Sequence, residues 1–152
     1  MRKFLITAAS GLLLSLPFAL GALAQDTNTP VGTWKTIDDV THKPKSLVEI
    51  TEVNGRLQGR VVELFRPPTE EQNPLCDKCA EPRFNKPIKG MTILWGMGKD
   101  GDEYNGGKIL DPKTGKIYKA KLNVTNGGKD MDVRGYIGFS LLGRSQTWHR
   151  EK

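Results

Sequence analysis

The sequence predicts an all-β protein, a single small eight-stranded antiparallel up-and-down barrel with one long loop. Three observations predict it. From Val31 onward, short runs of β-forming residues alternate with turn signals at regular spacing. No stretch in that part of the chain carries an amphipathic helical pattern longer than a turn or two. A meander of this length has two exposed edges unless its first and last strands pair, and closure removes both.

The runs are taken in order. "VGTWKTID" opens the series at Val31. "SLVEITEV" follows from Ser46 and ends on Asn54-Gly55, a strong hairpin signal, after which "RLQGRVVELF" runs back. The long loop spans Arg66 to about Lys89. "GMTILWGM" is the fourth run, ended by Lys99-Asp100-Gly101, and "EYNGGKIL" the fifth, ended by "DPKTG". In that turn Asp111-Pro112 suits a type I geometry and Gly115 supplies a positive φ to re-enter a strand. "KIYKAKLNV" is the sixth run: Tyr118, Ala120, Leu122 and Val124 share one face, with Lys119, Lys121 and Asn123 on the other. "KDMDVRGYI" is the seventh, with Met131, Val133, Gly135 and Ile137 alternating against Asp132, Arg134 and Tyr136. "GFSLLG" leads into the eighth, "GRSQTWHR". Pro30, Pro67, Pro68, Pro74, Pro82, Pro87 and Pro112 fall at edges and loops, where a missing N–H is tolerated.

Residues 1–24, "MRKFLITAASGLLLSLPFALGALA", read as a secretory signal peptide, with Arg2 and Lys3 before an apolar core and Ala22-Leu23-Ala24 as a small-x-small cleavage site. Its polar and helix-breaking residues argue against a spanning anchor, and no second apolar segment follows. Export to a bacterial periplasm is therefore expected, with cleavage near Ala24 and a barrel domain over residues 25–152. Losing Arg2 and Lys3 lowers the formal charge from +6 to +4. That excess favours anionic envelope polymers, whereas no cationic run interleaves with aromatics as nucleic-acid binding would require.

Closure makes Trp34 and Trp148 neighbours across the seam. Gly32 lets the chain bend at one end of the barrel while Trp34 plugs it, and Arg144 or Arg150 is placed to stack on an indole. Gly-x-Trp on the first strand, with an arginine near a last-strand aromatic, resembles the lipocalin and wider calycin plan. "GTWKTIDD", "KSLVEI", "NGRLQGRVVELF", C-x-x-C, "ILDPKTGKIY" and "VRGYIGFSLLGRSQTW", in that order, resemble the secreted bacterial domain-of-unknown-function family 2147. The resemblance implies a periplasmic calycin-like barrel with no assigned activity.

Little in the chain has the pattern of catalysis. Cys76-x-x-Cys79 admits three uses: a structural disulfide formed on export, a redox pair, or half of a metal site. The redox pair needs a helix N-terminus that the flanking prolines discourage, and only His42 and His149 remain as further soft ligands, with no linking spacing. The disulfide is the expectation; no metal and no cofactor are expected. Gly96-x-Gly98-x-x-Gly101 matches a dinucleotide fingerprint but precedes a strand where the chemistry needs a helix. "GFSLLG" lacks the spacing of a nucleophile elbow. Lys108 and Lys129 follow glycines without phosphate-loop spacing. Arg60, Glu63, Arg134 and Gln146 are polar positions on apolar strands, and a Glu63–Arg134 pair would be either an inward clamp or a solvated outer pair.

The expected function is non-enzymatic binding of an apolar or amphipathic small molecule in the barrel mouth, with Trp95, Tyr104, Tyr118, Arg134 and Tyr136 as ligand-binding candidates. The alternative is an envelope interaction or maintenance module with a filled barrel, acting through its surface and the 66–89 loop. An enzyme is the weakest class, its best version a thiol redox role for Cys76 and Cys79.

Overall fold

The computed structural model describes residues 27–151. The predicted leader, residues 1–24, and its cleavage point near Ala24 lie outside them.

Eight antiparallel strands close into one barrel, each paired with its neighbour in sequence and the last with the first. They are β1 (Gly32–Ile37), β2 (Pro44–Val53), β3 (Arg56–Leu64), β4 (Thr92–Asp100), β5 (Glu103–Asp111), β6 (Lys116–Thr125), β7 (Asp130–Tyr136) and β8 (Gly143–Arg150). The order is that of the predicted runs, and the largest differences in boundary fall on β2 and β4. β2 begins at Pro44 and not Ser46. Asp38 Oδ1 accepts from the backbone N–H groups of Val40 and Thr41, folding the turn back so that Asp38 N–H reaches the Lys43 carbonyl at 2.9 Å. β4 continues past Met97 to Asp100: Gly96 takes a φ of 72° there, and pairing resumes as Gly98 with Asn105 and Lys99 with Tyr104.

Cross-strand partners share a face of the sheet, so the register identifies the lining of the lumen. Trp34 pairs with Val48 and Val48 with Val61; Leu94 pairs with Ile109 and Ile109 with Tyr118; Leu122 pairs with Val133; Val124 pairs with Met131 and Met131 with Trp148. Trp34, Val48, Leu94, Leu122 and Met131 have no exposed surface. Gly59 permits this density, because a Cβ there would lie 3.1 Å from both Leu94 Cβ and Val48 Cγ1.

The two ends differ. The floor carries the β2–β3, β4–β5 and β6–β7 turns with residues 27–31. The mouth carries the β1–β2, β5–β6 and β7–β8 turns and the long loop between Leu64 and Thr92. That loop is ordered by its own backbone bonds, Cys76 N–H to the Lys86 carbonyl and Asn85 N–H to the Cys76 carbonyl, and by a bridge between Leu75 and Pro87. It presses on the β5–β6 turn: a Cβ on Gly115 would sit 1.8 Å from the Lys78 carbonyl oxygen, and φ is 72° there, so only glycine fits. Ile93 and Leu110 face outward by alternation yet are buried, in one apolar cluster with Cys76 and Cys79 of the loop.

Candidate functional site

At the floor, Trp34 donates its indole N–H to the Pro30 carbonyl at 2.7 Å, and the guanidinium of Arg150 lies 4.2 Å over its ring. Arg150 also donates to the carbonyls of Val31 at 2.9 Å, Thr29 at 2.6 Å, Thr27 at 3.2 Å and Gly128. Its partial burial pushes the guanidinium below its usual pKa by desolvation. Gly32, at a φ of 137°, turns the chain from residues 27–31 into β1. Trp148 is buried on β8, its N–H on the Gln146 side-chain oxygen at 3.2 Å. The floor is thus a structural cap.

Arg144, expected at this closure, is elsewhere. Its side chain is 77% exposed and pairs with Asp39 of the β1–β2 turn, where Gln146 also donates at 2.8 Å. The reason is distance along the strand. Six residues of β8 separate Arg144 from Arg150, about 20 Å of rise, so the first stands at the mouth and the second at the floor.

The five ligand candidates do not converge. Tyr118 pairs with Ile109 and faces the lumen near the mouth; Tyr104 pairs with Leu122 on the same inner face, toward the floor. Trp95 and Tyr136 stand on the outer wall. Arg134 is also outside and gives its guanidinium to the Ser140 and Leu141 carbonyls and the Ser145 hydroxyl. It does not meet Glu63, which is exposed on β3. The physical reason is the period-2 alternation of strands, which sends side chains of one type to opposite walls. Trp34, Val48, Ile50, Leu94, Leu122 and Met131, none with exposed surface, occupy the interior of the barrel, and two depressions lie on its surface.

What the structure does assemble is a row across the outer wall. Trp95 pairs with Lys108, Lys108 with Lys119, and Lys119 with Tyr136, on β4, β5, β6 and β7. Arg83 of the long loop stacks on Trp95 at 4.4 Å. Beside the row, a register shift between Tyr104 and Gly107 leaves a depression of about 380 Å³. Asn105, Gly106, Lys108, Lys119, Lys121 and Tyr136 line it. Lys121 pairs with Glu103 at 3.6 Å, whereas Lys108 and Lys119 have no carboxylate partner among the described residues. Two like charges held directly opposite one another are destabilising in a sheet, and an anion between them reverses the sign of the interaction.

Sequence reasoning missed these lysines as a site. The signal was present in the hairpin: Asp111 pairs with Lys116 across "DPKTG", and counting back from that pair puts Lys108 opposite Lys119.

A second depression, of about 350 Å³, is lined by Arg83, Lys86, Lys89 and Met91 with neighbouring prolines. Cys76 and Cys79 are disulfide-bonded with Cα atoms 5.4 Å apart, both buried, and Cys76 Sγ lies 3.5 Å from the Pro112 carbonyl oxygen. Burial withholds the sulfurs from an attacking thiolate. Among the described residues no cluster of three or more His, Cys, Asp or Glu side chains is placed to hold a metal, and no helix is long and apolar enough to cross a membrane.

Comparison with known proteins places this geometry. Residues 32–150 match the family model described as "Uncharacterized protein conserved in bacteria (DUF2147)". Among solved structures, protein HP1028 from the human pathogen Helicobacter pylori, described as belonging to the lipocalin family, is similar to this chain with a TM-score of 0.69. The identity is 24%, over 80% of this chain and 82% of that one, a likeness of fold. No curated protein matches the chain.

Proposed function

The chain belongs to the DUF2147 family, and from that premise we propose that it is a non-enzymatic small-molecule-binding protein of the bacterial periplasm that takes its ligand on the outer wall of the barrel. The ligand class is a small anionic amphipath. A phosphate or carboxylate head sits between Lys108 and Lys119, with Lys121 beside it, and an apolar body lies along the ring of Tyr136. Export rests on the leader read in residues 1–24. Binding in preference to catalysis rests on the lipocalin-like plan of the barrel, a fold-level analogy.

The observation that carries the reading is the opposition of Lys108 and Lys119. Their mutual repulsion costs about 0.2–1 kcal/mol. A hydrogen bond to a charged group contributes about 1.5–3 kcal/mol, so a bound anion more than offsets it. The test is calorimetric titration with dodecyl phosphate below its micelle concentration. The parent should bind, more weakly as salt rises, and Lys108→Gln with Lys119→Gln should weaken binding at least about tenfold, the factor that 1.4 kcal/mol represents. No binding by the parent, or equal binding by the double variant, overturns the assignment.

The alternative, an envelope-facing module working through the 66–89 loop, is favoured by the ordering of that loop and by Arg83, Lys86 and Lys89 on its depression. Substituting those three residues while leaving Lys108 and Lys119 intact separates the two.

A further inference from the structure

The β7–β8 turn reads Ile137-Gly138-Phe139-Ser140-Leu141-Leu142. Ile137 is 66% exposed, Phe139 79%, Leu141 89% and Leu142 77%; Val40, on the β1–β2 turn at the same end, is 80% exposed. A turn that only reverses the chain is served by Gly, Asn, Asp or Ser. Grouped large apolar side chains at a tip instead mark a contact with something apolar.

The tip is also built to leave water. Arg134 donates to the carbonyls of Ser140 and Leu141 from the barrel side, and Leu142 N–H reaches the Phe139 carbonyl at 3.0 Å. Three carbonyls of the tip are thereby bonded while its apolar side chains are exposed, which removes part of the cost of entering an apolar phase. Ile117, 43% exposed at the start of β6, extends the apolar surface toward the β5–β6 turn. That turn supplies a cationic collar in Lys113 and Lys116, both exposed. Two carboxylates of this end are hydrogen-bonded: Asp111 accepts from Lys113 N–H and the Thr114 hydroxyl, each at 3.0 Å, and Asp39 accepts from Arg144 and Gln146, while Asp77 stands exposed on the long loop beside Lys78.

We propose that the mouth end docks on an anionic lipid bilayer. Ile137, Phe139, Leu141 and Leu142 enter the interface while Lys113 and Lys116 sit at the phosphates. The occupant follows from shape and charge. A convex turn offers too little flat area for a stable protein interface, which buries about 1,200–2,000 Å². A second copy would bring Lys113 and Lys116 against their own like. A bilayer surface accepts a convex apolar tip and carries the complementary charge. The proposal uses neither Lys108 nor Lys119 and stands independently of the ligand assigned to them.

The test uses protein recovered from an expressing bacterium in its native processed form, sedimented with vesicles of phosphatidylethanolamine and phosphatidylglycerol or of phosphatidylcholine alone. The parent should partition at least about tenfold more strongly into the anionic vesicles. Phe139→Ser with Leu141→Ser should lose at least about tenfold of that binding while keeping the parent's urea midpoint and its affinity for dodecyl phosphate. Lys113→Gln with Lys116→Gln should flatten the salt dependence. Failure of the parent to bind anionic vesicles, undiminished binding by the tip variant, or a parent that self-associates through the tip while the tip variant stays monomeric would each overturn the proposal.

Discussion

Arg150→Ala is the sharpest perturbation of the floor. The guanidinium stacks on Trp34 at 4.2 Å and donates to carbonyls of residues 27–31 and of the β6–β7 turn. A cation–π contact contributes about 0.5–2 kcal/mol, and a charge-assisted hydrogen bond about 1.5–3 kcal/mol. Water replaces some of the lost bonds, because the site is half-buried, so the expected cost is about 2–4 kcal/mol. With a urea slope of about 2 kcal/mol/M, the unfolding midpoint should fall by about 1–2 M. Arg144→Ala breaks one exposed ion pair with Asp39 and should cost about 0–1 kcal/mol. Trp34→Ala, at a fully buried indole, should cost about 3–5 kcal/mol. Combining it with Arg150→Ala should give a coupling of about 0.5–2 kcal/mol, because the stack is removed by either change. Equal midpoints for the Arg150 and Arg144 variants, or zero coupling between Trp34 and Arg150, would refute the account of the floor.

Gly115→Ala should destabilise by more than about 1 kcal/mol, since it combines positive φ with a clash against the Lys78 carbonyl; Gly127→Ala, at positive φ with nothing near its Cβ, is the control for φ alone. Replacing Cys76 and Cys79 by Ser should leave the β-type circular dichroism intact and raise hydrogen exchange in the 66–89 loop, because the bond closes only a very small ring; a collapsed spectrum would show that the loop core is essential. Asp130 is held below its usual 3.8 chiefly by the hydrogen bond to His149 and then by Asn126. A depressed carboxylate stabilises above its unfolded pKa and loses that contribution as pH falls through the lower folded value. The urea midpoints of parent and Asp130→Asn should therefore differ by a small amount near pH 5 and converge as pH falls below the usual carboxylate value of 3.8, and a gap that widens on acidification would contradict the assignment.

The strands were legible because each run carries its own alternation and its own turn. "KIYKAKLNV" shows both walls at a glance, and Asn54-Gly55 and "DPKTG" mark their reversals without help from distant residues. The aromatic plug was legible for a related reason: closure requires the first and last strands to meet. Which arginine serves it was not. Arg144 and Arg150 share parity on β8, and only the position of the floor along the strand separates them. The site suffered most. Trp95, Tyr104, Tyr118 and Tyr136 form a group by residue type alone, and type says nothing about wall. Lys108 and Lys119 carried no motif, and their opposition exists only once two strands are set in register.

A filled lumen shifts the question of function outward, and the filling has a physical basis. An eight-stranded barrel is just wide enough for its own side chains or for one small ligand. Room for a ligand requires small residues facing empty space. The small inward positions here face occupied space: Gly59 against Leu94 and Val48, and Gly107 with Met97 Sδ only 2.3 Å from where its Cβ would lie. A ligand in the lumen would have to displace several well-packed side chains at once, and each truncation-sized void in such a core costs about 2–5 kcal/mol. The outer wall asks for no such displacement. Its depression exists already, its lysines face water, and any anion that binds gains attraction without opening the core. The same division sets the two ends apart. The floor holds its polar groups in hydrogen bonds, whereas the mouth leaves its largest apolar side chains bare. Substitutions at the floor should therefore change stability and spare binding, and substitutions at the β7–β8 tip should do the reverse.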